Sequence, residues 1–162
     1  LNESRKSDGL RYVTQESPVA EQNASTLLLR AAGLRVTAPR IAVLEALADR
    51  PHVDADTVAR AVRDRLGAVS TQAVYDVLAA LCRTGLVRRI EPAGSAALFE
   101  RQSGNNHHHL VCRTCGTVTD VESVRLTAAC LTPDQAHGFE IDEAEVTFWG
   151  LCPQCRPSGV SR

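Results

Sequence analysis

The sequence predicts an α+β protein built as two units, and three observations carry that prediction. Residues 25–104 show apolar positions at helical spacing, interrupted by Gly and Pro stops, and then two short alternating runs around a turn. The remaining stretch is shorter and alternates in the manner of strands. Four of the six cysteines stand as two Cys-x-x-Cys pairs, Cys112 with Cys115 and Cys152 with Cys155, separated by a long spacer. That arrangement suits a tetrahedral zinc, which would staple a unit too small to build a large core.

Composition narrows the function classes. The 162 residues are 44% apolar, ordinary for a globular chain of one medium or two small domains. No apolar run approaches the roughly 20 residues that cross a bilayer. Glu3, Arg5, Lys6 and Asp8 leave the N-terminal stretch without the apolar centre of a secretion signal, so a cytoplasmic protein is expected. In a reducing compartment the paired cysteines favour metal thiolates over disulfides. The net charge of −1 divides unevenly: residues 1–104 hold 14 basic and 12 acidic side chains, and residues 105–162 hold 4 and 7. So small an excess does not establish a nucleic-acid partner; position along the elements must decide it.

Taken in order, residues 1–24 are rich in Ser, Gln, Glu and Asn without periodicity and read as a flexible extension. A first helix is expected from Ser25, with Leu27, Leu28, Ala31 and Ala32 inward and Gly33 as its stop. Thr37 and Pro39 open a second helix, whose inward positions are Ile41, Leu44, Leu47 and Ala48. Pro51 and His52 break it, and Asp54 caps a third with Val58, Ala61, Val62 and Leu66 inward. Ser70 caps a fourth, burying Val74, Val77, Leu78 and Leu81 and presenting Gln72, Tyr75, Asp76 and Ala79 outward. Runs 86–91 and 96–101 around a Pro-Ala-Gly-Ser turn form a hairpin. Short helices followed by a hairpin make a winged helix over residues 25–104. Residues 105–158 form the second unit, with strands at 108–112, 117–121 and 145–151 and weak helical character over 122–138, and residues 159–162 form a tail.

The fourth helix is the candidate major-groove element, with Ser70, Thr71, Gln72 and Tyr75 as candidate DNA contacts. Arg35 and Arg40 at the entrance to the second helix, and Arg88 and Arg89 in the hairpin, are candidates for phosphates or the minor groove. A solvated polar face, or a winged helix that binds protein, is the alternative. Cys112, Cys115, Cys152 and Cys155 fill a closed zinc shell with no position for water, which suits structure and not catalysis. A dithiol redox pair would need only one of the two motifs. Cys82 and Cys130 read as small core residues. In a strand, residues two apart point the same way, so His107 and His109 converge while His108 points opposite. Asp120 of the next strand can join them, with Glu100 arriving from the hairpin and His52 from the first unit. A shell of nitrogen and oxygen suits iron(II), manganese(II) or zinc. His108 and His137 are left unassigned and expected exposed.

These segments together resemble the ferric uptake regulator family of bacterial metal-dependent repressors. The resemblance is carried by Leu34 to Arg40, Ser70 to Tyr75, the block from His107 to Gly116 and the final Cys152-x-x-Cys155. It implies a homodimer bound to operator DNA, a winged-helix DNA-binding domain, a C-terminal α/β dimerisation domain and a structural zinc on four cysteines. It assigns His52, Glu100, His107, His109 and Asp120 to a regulatory iron(II) or manganese(II) site. Asn106 and His108 stand where many iron-responsive members carry other ligands, so a further site looks incomplete. Asp120, where Glu is common, is similar to the peroxide-sensing branch and to actinobacterial regulators encoded beside catalase-peroxidase genes. In that branch hydrogen peroxide oxidises ligand imidazoles, for which His52 and His107 are the matching positions. The alternatives are a reversible iron or zinc uptake regulator and, outside the family, a zinc hydrolase, for which the H-E-x-x-H motif is missing. No enzymatic activity is expected.

Overall fold

The computed structural model describes residues 18–92, 94–102, 107–121, 135–141 and 146–157. Most of the expected helical stretch 122–138 lies outside them, as do Cys130, Asn106 and the tail at 159–162. Four helices come first: α1 (Pro18–Ala31), α2 (Ala38–Asp49), α3 (Ala55–Leu66) and α4 (Thr71–Arg83). Six strands accompany and follow them: β1 (Val53–Asp54), β2 (Val87–Ile90), β3 (Leu98–Arg101), β4 (His108–Cys112), β5 (Val118–Val121) and β6 (Thr147–Gly150). Among the described residues no helix is long and apolar enough to cross a membrane.

Helix α1 begins at Pro18 and not at Ser25, because proline is well suited to a first helical position, where its missing N–H has no partner to lose. From residue 22 onward its buried residues are Ser25 and Leu29, four apart on one face, whereas Leu27, expected inward, is exposed. Helix α2 also departs from the single stripe expected: every residue from Ala42 to Leu47 is buried and Ala48 is exposed. The reason is position, since α2 is packed by α1, α3, α4 and β3 at once. This surrounds even Glu45, which meets Arg65 of α3 at 2.7 Å. Leu66, at the end of α3, is exposed.

Two of the three expected caps form. Asp54 accepts from the Thr57 N–H at 2.7 Å and Ser70 accepts from the Ala73 N–H at 3.1 Å; Thr37 occupies its cap position without a side-chain bond. Helix α4 buries Val74, Leu78 and Leu81 as its period requires and leaves Gln72, Tyr75, Asp76 and Ala79 exposed. Gly85, at a φ of 68°, lets the Leu86 N–H turn back to the Leu81 carbonyl at 3.0 Å, which ends α4 and starts β2.

The first sheet runs β1-β3-β2, all antiparallel. Strand β1, at two residues, is too short to show a period and so carries no strand signal. Val87 and Phe99 join the helical core with Leu44, Leu47, Val58, Val62, Leu78 and Leu81. The second sheet runs β5-β4-β6, with β4 antiparallel to β5 and parallel to β6. Together they give an α+β fold, a helical N-terminal region bearing a wing and a C-terminal region built on a mixed sheet.

Candidate metal centres

The thiol centre is assembled from two turns. After β4, the Gly116 N–H returns to the Cys112 carbonyl at 2.9 Å, with Gly116 at a φ of 73°. After β6, the Cys155 N–H returns to the Cys152 carbonyl at 3.0 Å. Each turn presents two sulfurs, and parallel pairing of β4 with β6 sets the turns side by side. The Sγ atoms of Cys112, Cys115, Cys152 and Cys155 all lie within 4.8 Å of one another, and Cys115 and Cys152 are 3.7 Å apart. A tetrahedral zinc with metal–sulfur distances of about 2.3 Å requires sulfur–sulfur edges of about 3.8 Å, so the donor set fits that ion.

The thiols differ in acidity because each meets different neighbours. The backbone N–H groups of Cys115 and then Cys152 draw the Cys112 thiol down to about 6. Cys155 is pushed up to about 12 by the side chains of Cys152 and then Cys115 crowding it. Cys82, away from this group, is raised by burial, as expected of a core cysteine.

The second centre lies where the two sheets meet. Glu100 comes from β3, His107 from the residue before β4, His109 from β4, Asp120 from β5, and His52 from the residue before β1. The register pairs His109 directly with Asp120. His52 adopts a φ of 57°, a left-handed conformation that histidine enters more readily than most residues, and this turns the chain into β1. His52 Nε2 lies 2.8 Å from Glu100 Oε2 and 2.8 Å from Asp120 Oδ1, is buried, and has hydrogen-bond geometry to neither. His109 Nε2 is 3.4 Å from Glu100 Oε2 and 3.6 Å from Asp120 Oδ1. His107 Nε2 is 3.0 Å from Glu100 Oε1 and 3.6 Å from Asp120 Oδ1.

The ligand atoms of His52, Glu100, His109 and Asp120 fall within 4.8 Å of one another. His107 stands at the margin of that set, reaching it through Glu100 and Asp120. The imidazoles meet edge to face, at 5.4 Å between His52 and His109 and 5.0 Å between His107 and His109, so their nitrogens converge and the rings do not stack. His107 and His109 are within hydrogen-bond reach of Glu100, at 3.0 and 3.4 Å, while His52 Nε2 is buried against two carboxylates without such a bond; nitrogen and oxygen donors gathered this closely fit a cation of the iron or manganese kind. Burial would raise the Glu100 carboxyl, but the imidazoles of His109 and then His52 at its oxygens outweigh it and hold it well below the usual range. Glu100 is therefore a carboxylate, ready to ligate.

The other candidates are distributed as follows. Ser70, Thr71, Gln72 and Tyr75 line the exposed start of α4, where Gln72 Nε2 donates to Asp76 at 2.9 Å and Arg63 approaches Thr71 at 3.4 Å. Arg40 donates to the Arg35 carbonyl at 2.7 Å. Arg89 is exposed, but Arg88 is turned inward onto the second centre, contrary to the expected phosphate role. His108, expected exposed, is buried, and its Nδ1 accepts from the Val146 N–H at 3.3 Å; it fastens β4 beside the start of β6. His137 is exposed.

Residues 31–149 match the ferric uptake regulator family. The chain belongs to that family. It is 56% identical over 134 residues to the transcriptional regulator FurA of Mycobacterium tuberculosis, covering 83% of this chain and 91% of that one. Among solved structures, it superposes on the ferric uptake regulator of Pseudomonas aeruginosa with manganese at a TM-score of 0.65 and 30% identity, over 80% of this chain and 98% of that one. The Helicobacter pylori ferric uptake regulator shares the fold at a TM-score of 0.69 and 16% identity, over 90% and 97%. With its metal-binding clusters, this makes the chain a metal-dependent transcriptional regulator and not an enzyme.

Proposed function

We propose that this regulator is a homodimeric cytoplasmic repressor of catalase- and peroxidase-type genes that senses hydrogen peroxide. His52, Glu100, His107, His109 and Asp120 hold iron(II) or manganese(II), and Cys112, Cys115, Cys152 and Cys155 hold structural zinc. The observation that carries the reading is His52 Nε2 at 2.8 Å from carboxylates of both sheets, beside two further imidazoles. Such a centre draws β1, β3, β4 and β5 to one point. Whatever arrangement the bound cation favours then gains operator affinity by the same factor that DNA gives to the cation.

Operator contact falls to Ser70, Thr71, Gln72 and Tyr75 in the major groove, with Arg35 and Arg40 on phosphates. The exposure of Arg35, Ser70, Thr71, Gln72 and Tyr75 supports this. Bound iron(II) supplies the reduction of peroxide that the side chains themselves lack. His52 and His107 are the oxidation targets: their side chains are 9% and 7% exposed, whereas His109 is sealed at 0%. One oxygen atom of the peroxide adds to an imidazole carbon and the other leaves as water. The altered ring ligates poorly, and the operator is released.

The test is to load the protein with iron(II) under anaerobic conditions, add stoichiometric hydrogen peroxide and analyse the peptides containing His52 and His107. One added oxygen with loss of operator binding is expected, and a manganese-loaded sample should remain unmodified. Unmodified histidines, with binding still set by metal, would make this a reversible uptake regulator.

A further inference from the structure

Arg88 is not placed to meet DNA. Its side chain is 11% exposed, while that of Arg89 is 56% exposed and paired with Glu91 at 2.6 Å. The antiparallel register sets Arg88 directly opposite Glu100, and opposite residues of neighbouring strands share a face. Arg88 Nε lies 4.0 Å from Glu100 Oε1, and Arg88 Nη1 donates to the His107 main-chain carbonyl at 3.4 Å. The same Glu100 oxygen is 3.0 Å from His107 Nε2. One guanidinium thus reaches, from β2 of the wing, both a ligand of its own sheet and the backbone that leads into the other.

A permanent cation is a poor component of a site that exists only to hold a divalent metal, because it repels the ion it adjoins. Arginine does supply a planar fork that fixes two acceptors at once, which lysine does not. We propose that Arg88 is a positioning residue that couples the interdomain centre to the wing. Shifts of Glu100 and His107 on metal binding pass through its fork to β2, and so to the wing's orientation beside α4. The inference rests on the metal-dependent reading above.

The test uses a duplex selected by the wild-type protein from a random pool in the presence of Mn²⁺. Duplex affinity is measured with and without Mn²⁺, and Mn²⁺ affinity with and without duplex, for wild type, Arg88→Met and Arg88→Lys. In wild type each ligand should strengthen the other about tenfold or more. In Arg88→Met both factors should fall within about threefold of unity, while the salt dependence of duplex binding is unchanged. Arg88→Lys, which keeps the charge but not the fork, should recover only part of the coupling. Wild-type coupling in Arg88→Met overturns the proposal. So does an equal loss of affinity in both metal states with the salt slope reduced by about 1, the mark of a phosphate contact. If Arg88→Met fails to retain zinc, Arg88→Lys decides: full coupling there overturns the proposal and partial coupling supports it. A wild-type protein whose duplex binding ignores Mn²⁺ would instead defeat the repressor reading itself.

Discussion

Asp54 shows how one side chain serves two levels of the structure. It caps α3 through the Thr57 N–H and also belongs to β1, directly after His52, so it fixes the chain at the entrance to the regulatory centre. Replacing it with Ala should cost about 1 kcal/mol in denaturant unfolding. Its hydrogen bond to Thr57 lowers its pKa below the ordinary carboxylate value. The cap's contribution is therefore fully present above that ordinary value and disappears as pH falls through the lowered one. Wild type and Asp54→Ala should converge in acid, and persistence of the gap there would refute this account. The pleat turned His107, His109 and Asp120 to one side, and the structure gathers His109 and Asp120 with His52 and Glu100, which the pleat does not reach. Arg88 was not legible in the sequence, since a basic residue in a short strand reads as solvated until the register with Glu100 is known. The run Leu27-Leu28-Leu29 shows the same limit: three consecutive leucines offer alternative inward faces, and only the packing of α1 on α2 chooses among them.

Among elements, the thiol turns are the most demanding, because β5, β4 and β6 share a sheet with little apolar material behind it. Of the second sheet's described residues, the buried apolar ones are Val111 and Cys112. Cys152→Ser, or removal of zinc by a strong chelator, should release β6 from β4 while the helical core retains its far-ultraviolet signal. Trp149, the only tryptophan, lies on β6 with the Arg113 guanidinium 5.2 Å above its ring, so its fluorescence reports that release. An unchanged Trp149 signal after zinc loss would show that the sheet holds itself. Most strand positions were legible from alternation and turn chemistry. The parallel pairing of β4 with β6 was not, since the segment joining them carries no pattern that specifies direction.

For the whole molecule, the α+β fold was legible because helical and alternating periods occupy separate stretches of the chain. Metal-dependent DNA binding should show a steep salt dependence, falling by about 10³-fold or more between 50 and 200 mM salt if six or more phosphates are neutralised. A flat salt response with the manganese-loaded protein would count against duplex DNA as the partner. Strand β4 sets a further condition on the molecule. It carries His109 toward one metal centre and Cys112 toward the other, three residues and about 10 Å apart on opposite faces. An alanine inserted after Leu110 would reverse every later side chain of the strand relative to His109, so the two centres could no longer both be served and zinc or manganese content should fall. One inserted in the wing turn between Pro92 and Ser95 should change neither. The distance from imidazole to thiol is thus a fixed gauge, a stretch in which descendants can exchange residues but cannot alter length.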